Sequence, residues 1–271
     1  MKELVYRMLQ EEGIEAVAAL PYDACRVLRP YLVERLSPFL PQTAILFLVP
    51  YFAGRAENLS CYAAARDYHG YMKGLFARLC PRLQAACGYS FYGFADHSPI
   101  DERRAAAEAG LGMLGKNGLL IHPRYGSIVF IGELLTDAPP LLPAAAAPRA
   151  PKPCCGCGAC LRACPTGCLV GSGECLSAIT QKKGTLTAQE AAWVKAGGSV
   201  WGCDRCQLVC PHNAAAMQEE NYTPIPYFRE ARITRLTTDA LHAMSTEEFA
   251  ARAFSFRGPA PLERNLALLD T

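Results

Sequence analysis

The placement of the cysteines constrains this chain more than any other feature. Of fourteen in 271 residues, ten fall between Cys154 and Cys210, while Cys25, Cys61, Cys80 and Cys87 stand singly. Cys154-x2-Cys157-x2-Cys160-x3-Cys164-Pro165 is a spacing that holds iron–sulfur cubes: three thiolates wrap one [4Fe–4S] cube, and the fourth, next to proline, is turned towards a second. Cys203-x2-Cys206-x3-Cys210-Pro211 supplies three more thiolates. Two cubes need about eight ligands, so one is still to be found. The candidates are Cys155, Cys168 and Cys175. Cys155 adjoins a ligand and should point elsewhere, and Cys168 lies about one turn beyond Cys164 if a short helix begins at Pro165. Cys175 has the freer reach. The expected sets are therefore Cys154, Cys157, Cys160 and Cys210 for one cube, and Cys164, Cys175, Cys203 and Cys206 for the other. Zinc is the competing reading of paired Cys-x2-Cys, but it leaves both Cys-Pro endings without a role.

The cysteines outside this block do not form a disulfide framework, because nothing in the sequence addresses the chain to an oxidising compartment. Its start, MKELVYRMLQEEGIEA, carries charges where a signal peptide would be apolar, and reads as an amphipathic helix. The most apolar run, Ala44 to Pro50, is far shorter than the ~20 residues of a membrane span. A cytoplasmic protein without a membrane partner is expected. With 27 basic against 25 acidic side chains, no chain-wide attraction draws it to polyanions.

Residues 1–138 alternate helical stretches with short apolar runs, the pattern of an α/β domain. Ile45–Val49 and Ile128–Ile131 are expected strands. Ser98-Pro99-Ile100-Asp101-Glu102 has the composition of a helix start with Ser98 as cap, and the helix should stop at Gly110. Residues 139–153 hold six prolines in fifteen positions and read as an extended linker. The cluster module is expected over 154–213. Residues 214–271 form a tail, too short for a domain, with a helix at Thr246–Ala253.

Several motifs agree in order with one family. Ala63-Ala64-Ala65-Arg66-Asp67-Tyr68-His69, Phe94-Ala95-Asp96-His97-Ser98-Pro99 and Ala109-Gly110-Leu111-Gly112-Met113-Leu114-Gly115-Lys116-Asn117 come first. Gly126-Ser127 and Ile131-Gly132-Glu133-Leu134-Leu135-Thr136-Asp137 follow, then Cys164-Pro165-Thr166-Gly167 and the run Gly202 to Pro211. Together, over about residues 40–213, they resemble the epoxyqueuosine reductase family. Cys175-Leu176-Ser177 sits where that family has its lone cluster ligand.

The resemblance implies a nitroreductase-like cobalamin-binding α/β domain followed by a ferredoxin-like double [4Fe–4S] module. It implies an oxidoreductase of queuosine biosynthesis and tRNA processing, which removes the epoxide oxygen of epoxyqueuosine with electrons passed through the clusters to cobalamin. Asp96 falls on the family's proton donor. A carboxyl beside an apolar macrocycle has its pKa raised, which suits an acid that protonates a departing oxygen. The corrin contacts implied are Leu120, Ile131 and Leu134, with Lys116 and Asn117 meeting polar amides. The partners implied are a low-potential electron donor of ferredoxin or flavodoxin type and tRNA. The family's helical-repeat region that grips tRNA does not follow the cluster block in this sequence, which puts the tRNA substrate in question. The alternatives are a corrinoid-dependent reductase of another small molecule, and an electron-transfer or corrinoid-reactivating iron–sulfur protein.

Overall fold

The computed structural model describes residues 2–140 and 152–270. Residues 141–151 of the expected linker lie outside the described residues. The chain divides into two compact units, residues 1–50 with 71–156 and residues 51–70 with 157–271. This differs from a linear division at the proline-rich stretch, because residues 51–70 leave the first unit and residues 214–270 are structural parts of the second.

The first unit is built on an antiparallel sheet of order β1-β2-β6-β3, with β1 Val17–Pro21, β2 Thr43–Pro50, β3 Phe91–Phe94 and β6 Val129–Thr136. The expected strand at Ile45–Val49 is the core of β2, buried along its whole length. That continuous burial explains its unbroken apolar run. The expected strand at Ile128–Ile131 is the beginning of the longer β6. A small hairpin of β4 Met113–Leu114 and β5 Leu120–Ile121 lies between. Helix α1 Lys2–Glu11 buries Val5 and Leu9, one turn apart, as its amphipathic sequence implies.

Helix α2 Tyr68–Cys87 buries Met72, Leu75, Leu79 and Leu83, a stripe at helical spacing. Phe76 of α2 and Phe47 of β2 meet edge to face at 6.2 Å. The ring of Phe47 lies over Gly132, where an added Cβ would come within 2.2 Å of it. Across the sheet, a second cluster gathers Leu20, Leu46, Leu48, Ile131 and Leu135 with Ala105 and Ala106 of α3 Glu102–Glu108. The cap of α3 is Asp101, whose side chain accepts the Arg104 N–H, and not the expected Ser98. Ser98 is committed elsewhere, which keeps residues 95–101 out of the helix.

The second unit holds α4 Ala159–Ala163, α5 Leu176–Thr180, α6 Ala188–Gly197 and α7 Arg205–Leu208, then α8 Pro226–Arg229, α9 Thr238–His242, α10 Thr246–Ala250 and α11 Ala260–Leu269. Its main core combines Leu59 and Ala63 with Trp201, Leu236, Phe254, Leu262 and Leu266. The tail is tied in by polar groups as well: buried Asn265 donates to the carbonyls of Thr180 and Val200, each at 2.8 Å. The expected helix over Thr246–Ala253 is α10, opened by a Ser245/Glu248 capping box. No helix among the described residues is long and apolar enough to cross a membrane.

Candidate functional site

The second unit holds the thiols of Cys157 to Cys210. Cys210, half-buried, has its thiol pushed up by burial and further by the charges of Cys157 and Cys160, while the His212 N–H opposes them. Burial and the charges of Asp204 and Cys175 act likewise on Cys203, while the Arg205 N–H opposes them. Cys175 also acts on Cys168, whose sulfur lies 3.5 Å from that of Cys164. Burial raises Cys164, but the Leu169 N–H, Cys168 and Thr166 outweigh it and bring it down to about 7. Gly156 and Gly158 adopt φ of 73° and 70°, the left-handed turn that lets the cysteine loop double back. Cys154 lies in the first unit and its N–H donates to the Leu114 carbonyl. Cys206, in the first turn of α7, is half-buried. Among the described residues, no three His, Cys, Asp or Glu side chains converge on the position of one bare ion.

Asp204 anchors this region. Its carboxylate accepts the Ser60 hydroxyl and, at 2.6 Å, the Cys61 N–H. Trp201, fully buried, donates its indole N–H to the Tyr62 hydroxyl at 3.0 Å.

In the first unit, Asp96 is exposed and takes φ of 64°, which side chains other than glycine rarely adopt. The His97 N–H donates to the Ala95 carbonyl at 2.7 Å, closing a γ-turn with Asp96 at its centre, the rare and strained form. Four contacts hold this turn in place. The Asp96 N–H donates to Glu102 Oε2 at 3.2 Å, and the His97 ring meets the Tyr31 hydroxyl at 2.9 Å. Arg29 donates to the Ser98 carbonyl at 2.9 Å, and the Ser98 hydroxyl donates to Glu133 Oε2 at 2.5 Å.

Glu133 stands opposite Leu46 and Phe94 in the sheet, has no exposed surface, and leaves Oε1 without a partner. Burial, with the charge of Glu102 added and the Ser98 hydroxyl opposed, pushes it up to about 8. Burial and the charge of Asp96 push Glu102 up to about 7. An uncharged carboxyl is the physical answer to such burial, since an unpaired anion there would be strongly disfavoured. Sequence reasoning assigned no chemistry to Glu102 or Glu133. The available signal was a lone acid within the apolar run Ile131-Gly132-Glu133-Leu134-Leu135.

The other expected contacts divide. Leu120 and Ile131 belong to the same apolar cluster, with half-buried Leu114, Phe94 and Val129 at its margin. Lys116 is exposed and donates to the Gly156 carbonyl at 3.3 Å, while the Asn117 side chain accepts the Leu119 N–H at 3.3 Å and shapes the hairpin turn. Leu134 is fully buried in β6, three residues from Ile131 and so on the opposite face, paired with Ile45 and Gly93. It is a core residue.

A sequence family described as a 4Fe-4S double cluster binding domain matches residues 153–213. The chain is 30% identical over 288 aligned residues to the epoxyqueuosine reductase of Listeria monocytogenes, covering 97% of this chain and 72% of the relative. It is 39% identical over 166 residues to that of Pseudomonas aeruginosa, covering 58% of this chain and 44% of the relative. The chain thus spans less than half the length of the Pseudomonas relative, and the same 44% holds for the Salmonella typhimurium one. Among solved structures, it is similar to epoxyqueuosine reductase from Streptococcus thermophilus, with TM-score 0.71 and 25% identity, covering 99% of this chain and 80% of that one. An epoxyqueuosine reductase solved with an epoxyqueuosine-modified tRNA-Tyr stem loop has the same fold, with TM-score 0.76 and 23% identity over the same shares.

Proposed function

The chain belongs to the epoxyqueuosine reductase family, and from that premise we propose that it reduces epoxyqueuosine in tRNA, using two [4Fe–4S] clusters and cobalamin. The carrying observation is the 30% identity to the Listeria enzyme over 97% of this chain. Removing an epoxide oxygen as water consumes two electrons and two protons. The chain's residues are read as serving those two supplies separately.

Electrons from a low-potential donor of ferredoxin or flavodoxin type would pass one at a time through the clusters held by Cys154, Cys157, Cys160 and Cys210 and by Cys164, Cys175, Cys203 and Cys206. Cobalamin, when bound, supplies the cobalt centre that takes up those electrons and transfers them to the epoxide. The apolar cluster around Leu120 and Ile131, with half-buried Leu114 beside it, suits the face of a macrocycle, and exposed Lys116 with Asn117 suits its amide groups. Asp96 is read as the acid that protonates the departing oxygen. Its support is the exposed, strained turn clamped from four sides, which holds one carboxyl outward while its neighbours remain in the core.

The test uses the full chain with clusters assembled anaerobically. Cob(II)alamin is titrated in by EPR, and turnover is measured with reduced viologen on an epoxyqueuosine-containing anticodon stem loop and on the free nucleoside. Cobalamin binding and queuosine formed on the stem loop are expected, with Asp96→Ala slowing product formation at least ~100-fold. Absence of cobalamin binding overturns the reading, and turnover of the nucleoside alone overturns the tRNA assignment.

A further inference from the structure

Two carboxyls stand behind Asp96 that the proposed reaction leaves unused. Glu102 is tied to the Asp96 turn through the backbone: its Oε2 accepts the Asp96 N–H at 3.2 Å, and the Asp96 side chain departs only two bonds from that nitrogen. Glu133 lies deeper, fully buried with one oxygen unpartnered, and holds the same turn through Ser98. Exposure falls along this order, from exposed Asp96 through half-buried Glu102 to buried Glu133. We propose that Asp96 and Glu102 form an acid pair that keeps one shared proton near neutral pH, making Glu102 a further functional residue of the site. This rests on the reading of Asp96 as the proton donor.

An isolated exposed aspartate is ionised at neutral pH and has no proton to give. Two carboxyls held on one turn, with the charge of one acting on the other, ionise in two steps, because the first negative charge opposes the second. The pair therefore retains one proton over a range where either carboxyl alone would have lost it. In the reaction, that proton goes to the departing oxygen, both carboxyls are left as anions, one proton from solvent restores the pair, and solvent also supplies the second proton that completes the water molecule. The surroundings favour this arrangement. Glu102 faces Asp96, Asp101 and Glu133, with Arg103 the one cation acting on it, and the Arg103 guanidinium is engaged by the Gly118 carbonyl at 2.8 Å. Glu133 is faced by Ser98, Glu102, Tyr22 and Cys25, with no cation among them. Burial and the like charge of Asp96 are also what push Glu102 up to about 7.

The experiment is an infrared titration of protonated carboxyl groups in the full, cluster-loaded chain without cobalamin, from pH 5 to pH 9. Wild type should lose two protonated carboxyls, Glu133 near pH 8 and one with a midpoint near neutrality, and Glu133→Gln isolates the second. Glu102→Gln should abolish that step, Glu102→Asp should retain it at a shifted midpoint, and Asp96→Asn should lower it by about one pH unit through loss of the like charge. In the Glu133→Gln background, a near-neutral step that survives Glu102→Gln, or a midpoint that Asp96→Asn leaves in place, overturns the proposal. In turnover, Glu102→Gln should move the alkaline limb of kcat/KM down by about one pH unit, and an unmoved limb overturns the pair's part in catalysis. Because the titration needs no substrate, coupled carboxyls without turnover would sink the proposed reaction and leave the pair standing.

Discussion

Replacing Glu133 by glutamine keeps the shape of the side chain and removes its proton equilibrium. The folded chain holds this carboxyl at about 8, chiefly by burial and further by the charge of Glu102, against an ordinary value of 4.5. Above pH 4.5 the unfolded chain has released a proton that the folded one retains. Stability therefore falls as pH rises, by about 1.4 kcal/mol per unit, until the folded carboxyl itself ionises near pH 8. Glutamine has no such dependence. Between pH 5 and pH 7, wild type should lose roughly 2–3 kcal/mol relative to Glu133→Gln, somewhat under a hundredfold in the opening equilibrium. Tyr22 and Cys25, which also feel Glu133, are pushed upward by their own burial and remain neutral over this range. Glu102 titrates in both proteins, so its direct effect largely cancels. The assay is hydrogen exchange of peptides covering β2 and β6, with both proteins measured at each pH so that the intrinsic exchange rate drops out. Tryptophan fluorescence would not serve, because Trp193 and Trp201 both lie in the second unit. A ratio of protection factors that stays constant between pH 5 and pH 7 would refute the reasoning.

Two further outcomes are expected in the second unit. Anaerobically prepared protein should carry about eight iron per chain; Cys175→Ala should bring that to about four while Cys168→Ala leaves it near eight, and the reverse result would move the last ligand to Cys168. Asp204→Ala strips the buried Cys61 N–H and the Ser60 hydroxyl of their acceptor, so it should destabilise this unit by about 2 kcal/mol. The buried Trp201 reports that loss as a lowered thermal midpoint, and an unchanged midpoint would mean that other contacts hold the segment.

What the sequence made legible was local. The apolar run of β2 and the amphipathic pattern of α1 are set by residues a few positions apart, and both elements formed where they were expected. Ser98 shows how such reasoning fails. Its chemistry suits a helix cap, but a buried glutamate thirty-five residues away takes its hydroxyl, and Asp101 caps the helix instead. The extent of β6 was illegible for a related reason. Ending the strand at Ile131 hid the fact that β6 runs on to Thr136, and strand alternation then puts Leu134 on the face away from Ile131. The tail was read as a remnant because none of its short helices carries a long apolar stripe. Its burial depends on Leu59, Ala63 and Trp201, which are distant in sequence.

The same contrast separates the two supplies a reductive deoxygenation needs. Electron carriers here are written as spacings of two and three residues, because one loop must wrap one cube, and a single stretch of sequence states the requirement in full. Proton supply has no such signature, because a raised carboxyl is produced by what surrounds it and not by its neighbours in the chain. Even so, β6 carries a partial sign. Ile131, Glu133 and Leu135 occupy successive inward positions of one strand, so an acid in the middle one must be buried wherever the other two are. A buried acid with no cation near it must keep its proton, and the residues tied to it are then the place to look for the group that gives one up. From Glu133, the contacts of Ser98 and of Glu102 both lead to the Asp96 turn.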